Sequence, residues 1–199
     1  MISDEVINGF GRLGEWFGSQ CFGIQPDITT VAKGITSGYA PLGAVIATKK
    51  VADSFLGGQK EMFYHLITFG GHPISTAAAN ANLEIFTEEN LIENSKKMGN
   101  YLFEKLQLLY EYPIVGDVRG GLGLLAGVEI VRDRKTKEKF PPDMNLMKKM
   151  TKNLLKNGIV SFRAGDIISI CPPLSINHSE IDFMVEGIES SIKSILKDI

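Results

Sequence analysis

Apolar runs alternate with glycine-rich turns in the first quarter of the chain, and this pattern predicts short buried strands. A short apolar stretch ends at Asp4, and a glycine-rich turn follows it at residues 9–14. The β-branched run 28–31 predicts a second strand that leads into Lys33, and residues 44–48 predict another buried strand. Open α/β sheets bind ligands at the carboxyl ends of their strands, so the pattern predicts a crevice with a carboxylate and an amine.

Further along, apolar residues recur every three to four positions, which is typical of helices that bury one face. The predicted helices are 49–55, 74–86 with Pro73 in its first turn, 87–112 with Thr87 as its cap, 143–157, and a last helix preceded by the capping-box spacing of Asn177 and Glu180. The buried stripe predicted for the long helix is Leu91, Met98, Leu102, Leu106 and Leu109, and that of the last helix is Ile181, Val185, Ile188, Ile192 and Ile195.

Short apolar runs in the second half of the chain, several of them next to glycines, predict additional strands. These predicted strands are 114–119, 124–131, 159–162 and 167–171, with a charged, exposed hairpin or loop at 132–139. Strands and helices that follow one another in this way predict a small α+β domain.

Composition narrows the classes of function. The chain has 199 residues, 44% of them apolar, which is enough for one large domain or two small ones. Its net charge of −2 predicts no nucleic-acid partner, and no apolar run approaches the length of about 18 residues that a membrane span needs. Cys21 and Cys171 are too few for a disulfide framework, which favours the cytoplasm, and the three scattered histidines lack metal-ligand spacing.

An acid that faces a lysine suggests a specific chemistry. A lysine with small neighbours, as Lys33 has in Ala32 and Gly34, can be desolvated, and its neutral amine can then attack a carbonyl carbon. If that carbonyl belongs to pyridoxal phosphate, a carboxylate such as that of Asp4 is needed to keep the pyridine nitrogen protonated. The protonated ring is the electron sink for this chemistry.

The glycine-rich turn permits an alternative interpretation. Gly9-Phe10-Gly11-Arg12-Leu13-Gly14 matches the dinucleotide-binding pattern G-x-G-x-x-G, which must open a helix and be followed by an acid about 20 residues later. Residues 15–23 show no sustained helical period, and Asp27 precedes a strand instead of ending one. We therefore expect these glycines to form a turn.

Several motifs in order resemble one family. D-E-V-I-N-G-F-G-R-L-G, G-I-Q-P-D-I-T-T-V-A-K-G-I-T-S-G-Y-A-P-L-G-A and T-F-G-G-H-P are similar to the class III, ω-amino-acid:pyruvate-type aminotransferases, which are fold-type I enzymes dependent on pyridoxal phosphate. The similarity continues through D-V-R-G-G-L-G to P-P-L at residues 172–174. Taken singly, these residues suit surface, core or loop positions; their order makes the resemblance specific.

The resemblance implies a role for each matching residue. Asp4 would pair with the pyridine nitrogen and Val6 would pack against the ring. Lys33 would form the Schiff base with the cofactor and transfer the substrate proton. Thr68 would reach the cofactor phosphate of the neighbouring subunit in a homodimer. Arg163, in F-R-A-G-D, would bind the carboxylate of the keto acid; a surface ion pair with Asp166 is the alternative for this residue.

The resemblance also implies an organisation. Residues 1–86 would be the C-terminal part of a large, mostly parallel α/β domain that binds the cofactor, 87–112 a connecting helix, and 113–199 the small α+β domain. The cofactor-phosphate loop of the family would lie in an N-terminal half outside this sequence. Two hypotheses for function remain: transamination between an amine or ω-amino acid and a keto acid such as pyruvate, or a non-catalytic remnant or assembly partner of such an enzyme. The motifs do not specify the amine.

Overall fold

In the computed structural model the chain divides into two compact units, Met1–Glu93 and Asn94–Ile199. The structure describes residues 1–161 and 163–199, with the side chains of all of these except Arg163 and Ala164. Among the helices of this described part, none combines the length and apolar character needed to cross a bilayer.

The first unit contains the predicted pair of parallel strands. Strand β1 (Ile2–Asp4) pairs in parallel with β2 (Ile28–Val31), and Asp4 lies opposite Thr30 in the register. Strand β3 (Ala44–Ala47) runs antiparallel to β2, so the strand order in the described residues is β1-β2-β3. The carboxyl ends of β1 and β2 therefore meet at one edge of the sheet, as predicted.

One feature of this sheet differs from the prediction. Residues 44–48 were expected to form a buried strand, but all four residues of β3 are exposed. The physical reason is that β3 is an edge strand of the described sheet, and no described side chains cover it. Val45 and Ile46 are apolar, which is why the sequence predicts burial, but in the structure they are 69% and 49% exposed.

Three of the described α-helices lie wholly within the first unit. They are α1 (Gly18–Cys21), α2 (Lys49–Asp53) and α3 (Pro73–Glu88). Pro73 stands in the first turn of α3, where its missing N–H costs no hydrogen bond. The buried face of α3 contains Ser75, Ala79, Asn82 and Phe86, and the Phe86 ring stacks on Trp16 with 5.9 Å between ring centroids.

The long helix begins later than predicted. Thr87 does not cap it, because Thr87 lies inside α3 and its hydroxyl donates to the carbonyl of Leu83 at 3.2 Å. Asn90 has a φ of 51°, a left-handed conformation that interrupts the helix, and α4 (Leu91–Gln107) starts directly after it. A 3-10 helix, Leu108–Glu111, continues α4. The predicted stripe is buried at Met98, Leu102, Leu106 and Leu109 and partly buried at Leu91.

The sheet of the second unit is antiparallel. It consists of β4 (Val115–Arg119), β5 (Ala126–Ile130), β6 (Arg163–Ala164) and β7 (Ile167–Ile170), in the order β4-β5-β7-β6 within the described residues. The predicted strand 159–162 is wrong at residues 159–161, which are not in a strand, and Phe162 lies outside the described residues. The ladder instead pairs Arg163 with Ile168 across a turn in which Gly165 has a φ of 62°.

The core of the second unit contains α5 (Leu146–Lys156) and α6 (His178–Leu196) together with this sheet. The predicted helix start at Asp143 lies in a separate 3-10 turn, because Asn145 has a φ of 49° and interrupts the helix. The five isoleucine and valine positions predicted for α6 are all buried. Their spacing of three to four residues aligns them on one face of the helix.

The capping box of α6 allows a direct test. Asn177 Oδ1 accepts the N–H of Glu180 at 3.1 Å, and the Glu180 carboxylate accepts the N–H of Asn177 at 3.0 Å. We expect Asn177→Ala to lower the free energy of unfolding by about 1 kcal/mol, because a helix N–H loses its acceptor. Urea titration followed by circular dichroism measures this change. Asn100→Ala, at an exposed position inside α4, is the control and should cause no loss; equal losses would contradict the capping role.

Candidate active site

The carboxylate of the predicted site lies at the end of β1. The side chain of Asp4 is exposed, and its Oδ1 accepts the backbone N–H of Val6 at 3.1 Å. This bond curls the chain back on itself where the strand ends, so that partly buried Val6 follows immediately. Asp4 thus offers a carboxylate to solvent and ligand at the sheet edge, with an apolar side chain two residues along.

The amine lies at the end of β2 in an unusual backbone conformation. Lys33 is the first residue of a 3-10 helix, Lys33–Ile35, and has a φ of 45°, while Ala32 before it is fully extended. A residue other than glycine in the left-handed region costs of order 1–3 kcal/mol and persists where its surroundings impose it. Lys33 is exposed at this strand end, so its side chain is accessible to solvent and ligand.

The strand register brings these two groups together. Asp4 faces Thr30, and Lys33 lies three residues beyond Thr30 on the adjacent strand. If the chain continues along the direction of β2, strand spacing and chain extension place the two Cα atoms about 12 Å apart. Because the lysine side chain is long, the Asp4 carboxylate and the Lys33 amine can contact opposite sides of one small ring at this separation.

The glycine-rich turn between the strands does not open a helix, which removes the dinucleotide interpretation. The N–H of Phe10 donates to the carbonyl of Trp16 at 2.7 Å and that of Gly11 donates to Glu15 at 3.1 Å, so the segment folds back on itself. Helix α1 starts only at Gly18 and is one turn long. The predicted turn is confirmed.

Sequence reasoning missed the importance of Glu5. This carboxylate is only 1% exposed, and it accepts the N–H groups of Gly18 and Ser19 at 2.8 Å each and the hydroxyl of Ser3 at 3.0 Å. It therefore anchors the start of α1 to the end of β1. The alternation of side chains along a strand was the available signal, because adjacent acids at a strand end point to opposite sides.

Asn82 is the second residue that sequence reasoning missed. It lies on the buried face of α3, is 8% exposed, and its amide contacts the turn that contains Lys33. Nδ2 donates to the carbonyls of Gly34 at 2.9 Å and Ile35 at 3.1 Å, and Oδ1 accepts the hydroxyl of Ser37 at 2.7 Å. A polar residue in the middle of an alanine-rich helix was the only hint in the sequence.

Gly34 is required in this turn for reasons of space. A Cβ at this position would lie 2.9 Å from the Cβ of Phe10, closer than real Cβ contacts allow. Lys33 is therefore followed by a residue that lets the glycine-rich turn approach the end of β2. The small neighbour noticed in the sequence thus serves close packing of backbone segments.

Thr68 lies in a turn at residues 67–70, and its side chain is exposed. Large apolar side chains around it are exposed as well, namely Phe55, Leu56, Met62, Phe63, Tyr64, Leu66, Ile67 and Phe69. The contact of Thr68 with the cofactor phosphate of a neighbouring subunit stays a prediction.

Two arginines of the second unit, Arg119 in β4 and Arg163 in β6, lie in strands of its sheet. Arg163 belongs to β6 by its backbone, but its side chain lies outside the described part of the chain, so its role stays a prediction. Arg119 forms ion pairs with Glu129 at 3.1 Å and Asp117 at 3.6 Å, which supports a structural link. The hydrogen bond from the Lys139 ammonium holds the pKa of Glu129 below its usual value, and the positive charge of Arg119 contributes in the same direction to a smaller extent. Glu129 therefore remains ionised within this cluster.

The parallel strand pair with an acid and a lysine at its carboxyl edge, together with a separate α+β unit, defines the class of protein. The chain is part of an α/β transferase of fold type I, as predicted. A model of the family Aminotransferase class-III matches residues 1–192. The chain belongs to the class III aminotransferases.

Individual proteins similar to this chain are also aminotransferases by name. Taurine–pyruvate aminotransferase of Bilophila wadsworthia is 43% identical over 98% of this chain and 44% of that protein. Adenosylmethionine-8-amino-7-oxononanoate aminotransferase of Geobacter sulfurreducens is 44% identical over 98% of this chain and 43% of that protein. The structure of an (S)-enantioselective omega-transaminase from Thermomicrobium roseum matches 98% of this chain and 43% of its own, at 45% identity and a TM-score of 0.93. The chain therefore spans less than half of the length of these relatives.

Proposed function

We propose that this chain is the C-terminal part of a pyridoxal-phosphate-dependent aminotransferase that transfers the amino group of an amine or ω-amino acid to a keto acid such as pyruvate. The observation that carries the proposal is the position of Asp4 and Lys33 at the carboxyl ends of adjacent parallel strands, with both side chains exposed. In this proposal residues 1–86 belong to the cofactor domain, 87–112 connect, and 113–199 form the small domain of a cytoplasmic enzyme.

The donor set at this edge fits the cofactor. Asp4 can accept the pyridinium N–H in addition to the backbone N–H it already binds, Val6 offers an apolar contact to the ring, and Lys33 offers a primary amine. Pyridoxal phosphate, when bound, supplies an electron sink that stabilises negative charge on the substrate carbon. Lys33 Nζ would hold the cofactor covalently and, once the amine donor displaces it, take the proton from the carbon that bears the amino group.

The two substrates are supported to different degrees. Pyruvate appears in the name of the taurine–pyruvate relative, and a guanidinium such as that of Arg163 can bind a carboxylate with two parallel hydrogen bonds. The amine donors in the names of similar relatives differ from each other, so the donor of this protein is left open within the class of amines and ω-amino acids. The donor becomes a carbonyl compound as the keto acid becomes an amino acid.

The exposed apolar segment around Thr68 supports a homodimer. Exposed apolar residues are normal when they occur singly, but this segment exposes many of them close together in the sequence. Exposed apolar patches of this kind mark sites of interaction with another protein. In this proposal Thr68 contacts the cofactor phosphate held mainly by the other subunit.

The alternative function, a non-catalytic remnant or assembly partner, is supported by a different observation. Both edges of the first sheet are open in the described residues, and β3 is exposed along its whole length. Open strand edges pair readily with another chain, which also suits association with an N-terminal half of such an enzyme.

Covalent trapping tests the proposal on the chain as it exists. After incubation with pyridoxal phosphate and reduction with borohydride, peptide mass spectrometry should find a pyridoxyl group on Lys33 at several times the yield of any other lysine. The exposed Lys49, which pairs with Asp53, is the internal reference. Labelling of Lys33 no greater than that of Lys49 would contradict a surviving cofactor site and favour the non-catalytic alternative.

A further inference from the structure

We propose that Asn82 is a positioning residue that holds Lys33 in its reactive orientation. This inference rests on the proposed role of Lys33 and extends it to a helix residue that does not touch the cofactor. The observation that carries it is a set of three hydrogen bonds between the side-chain amide of Asn82 and the turn that follows Lys33. These bonds involve Gly34, Ile35 and Ser37.

The amide of Asn82 is matched to this turn. Its Nδ2 supplies two donors to the carbonyls of Gly34 and Ile35, and its Oδ1 accepts the Ser37 hydroxyl. Among side chains of this size, asparagine alone offers two donors and an acceptor from one planar group. Aspartate would turn two favourable contacts into repulsion with the carbonyls, and leucine would leave both carbonyls without this donor.

The location of Asn82 in α3 points in the same direction. Asparagine is unfavourable inside helices, because its side chain competes for backbone hydrogen bonds. Here it occupies the middle of a helix of 16 residues and is 8% exposed, and its amide makes bonds to residues 45 to 48 positions away in the chain. Contact with the turn, instead of helix formation, therefore explains an asparagine at this position.

The strain at Lys33 explains why such an anchor is needed. Lys33 and Ser37 both have φ angles in the left-handed region, 45° and 49°, so the turn stores strain at its two ends. Within the turn, Ile35 and Thr36 donate to Ala32 and Lys33 at 3.2 Å each, and the Thr36 hydroxyl donates to the carbonyl of Ala40 at 2.6 Å. Asn82 adds bonds from a separate helix, to Gly34 at 2.9 Å and Ile35 at 3.1 Å, that hold the turn in this conformation. Without them the turn can relax, and the direction of the Lys33 side chain changes with the backbone.

Two readouts on the chain itself test this inference. The first is amide hydrogen exchange at Ile35 and Thr36, and the second is the rate at which pyridoxal phosphate and borohydride label Lys33. In Asn82→Leu and Asn82→Asp, exchange should be at least about tenfold faster, because the two part-buried hydrogen bonds from Asn82 Nδ2 are lost. The limiting labelling rate, reached at saturating cofactor, should be at least about tenfold lower. The concentration of pyridoxal phosphate at which Lys33 labelling reaches half of its limiting rate should differ less than about twofold between these variants and the unchanged chain. The reason is that Asn82 does not bind the cofactor.

Two control variants separate positioning from stability. Phe86→Leu removes packing from the same face of α3 without touching the turn, so it should lower the stability of the first unit yet leave exchange at Ile35 and Lys33 labelling unchanged. Ser37→Ala removes one hydroxyl and keeps both donors of Asn82, so it should reduce the labelling rate by less than about threefold.

The outcomes distinguish this inference from the proposed function. Lys33 labelling at the normal limiting rate in both Asn82 variants would overturn the positioning role. Labelling that falls in Phe86→Leu as much as in Asn82→Asp would also overturn it, since stability would then be the cause. If the unchanged chain is not labelled at Lys33, the proposed function fails, and hydrogen exchange alone still decides whether Asn82 holds the turn.

Discussion

Replacing Lys33 with alanine should abolish amino transfer in any assembly in which this chain is active, a loss of at least about 10⁴-fold in kcat. The loss is large because one amine would both hold the cofactor and move the substrate proton. Lys33→Arg should be equally inactive, since a guanidinium keeps the positive charge but cannot act as the nucleophile. Formation of alanine from pyruvate and an amine donor, followed by chromatography, measures the effect.

The matched control is another lysine of the first unit. Lys49 is exposed in α2 and pairs with Asp53, so Lys49→Ala should retain normal turnover. Turnover by the Lys33→Ala variant at the level of the Lys49→Ala variant would refute the proposed chemistry. Loss in both variants would instead indicate a general effect of removing positive charge near the sheet.

The largest effect on stability is expected at Gly99. A Cβ at this position would lie 2.1 Å from the carbonyl oxygen of Gly123 and 2.3 Å from its carbonyl carbon, so α4 contacts the loop between β4 and β5 through bare backbone. Gly99→Ala should therefore lower the free energy of unfolding by about 3 kcal/mol or more, because backbone atoms on both sides must shift. Urea titration of the purified chain measures the loss.

A second helical glycine provides the control. Gly187 lies in α6, where the tightest contact of a Cβ would be with a side-chain atom, Ile159 Cγ1 at 2.8 Å, and the nearest backbone atom, Asn157 O, would be at 3.4 Å. The Ile159 side chain can shift more easily than the Gly123 backbone, and alanine favours the helix by up to about 1 kcal/mol, so Gly187→Ala should lower stability clearly less than Gly99→Ala. Equal stability of the two variants would show that α4 and the loop can separate at little cost.

The elements that were predicted correctly are those with strong local patterns. The β-branched run 28–31 is β2, the isoleucine spacing from Ile181 to Ile195 is the buried face of α6, and Asn177 and Glu180 form the capping box. In each case neighbours within four residues provide the information. The family motifs added the likeness to class III aminotransferases, which the comparisons confirm.

Two errors in helix boundaries occurred where the boundary depends on individual backbone angles. Thr87 looks like a cap, yet α3 continues through it until Asn90 turns left-handed. Asn145 delays the start of α5 in the same way. Asparagine adopts this conformation more readily than most residues, but whether it does so at a given position depends on the packing around it.

The order of residues alone was sufficient for the strand ends that present Asp4 and Lys33, because hydrophobic spacing reports which side of an element is buried and where a strand stops. It was not sufficient to show that Glu5 is buried against the start of α1, or to connect Asn82 with a turn 48 residues earlier in the chain. Those assignments follow from contacts between segments remote in the chain. Such contacts exist only after the backbone has folded, when burial removes water and each buried polar group must find a partner.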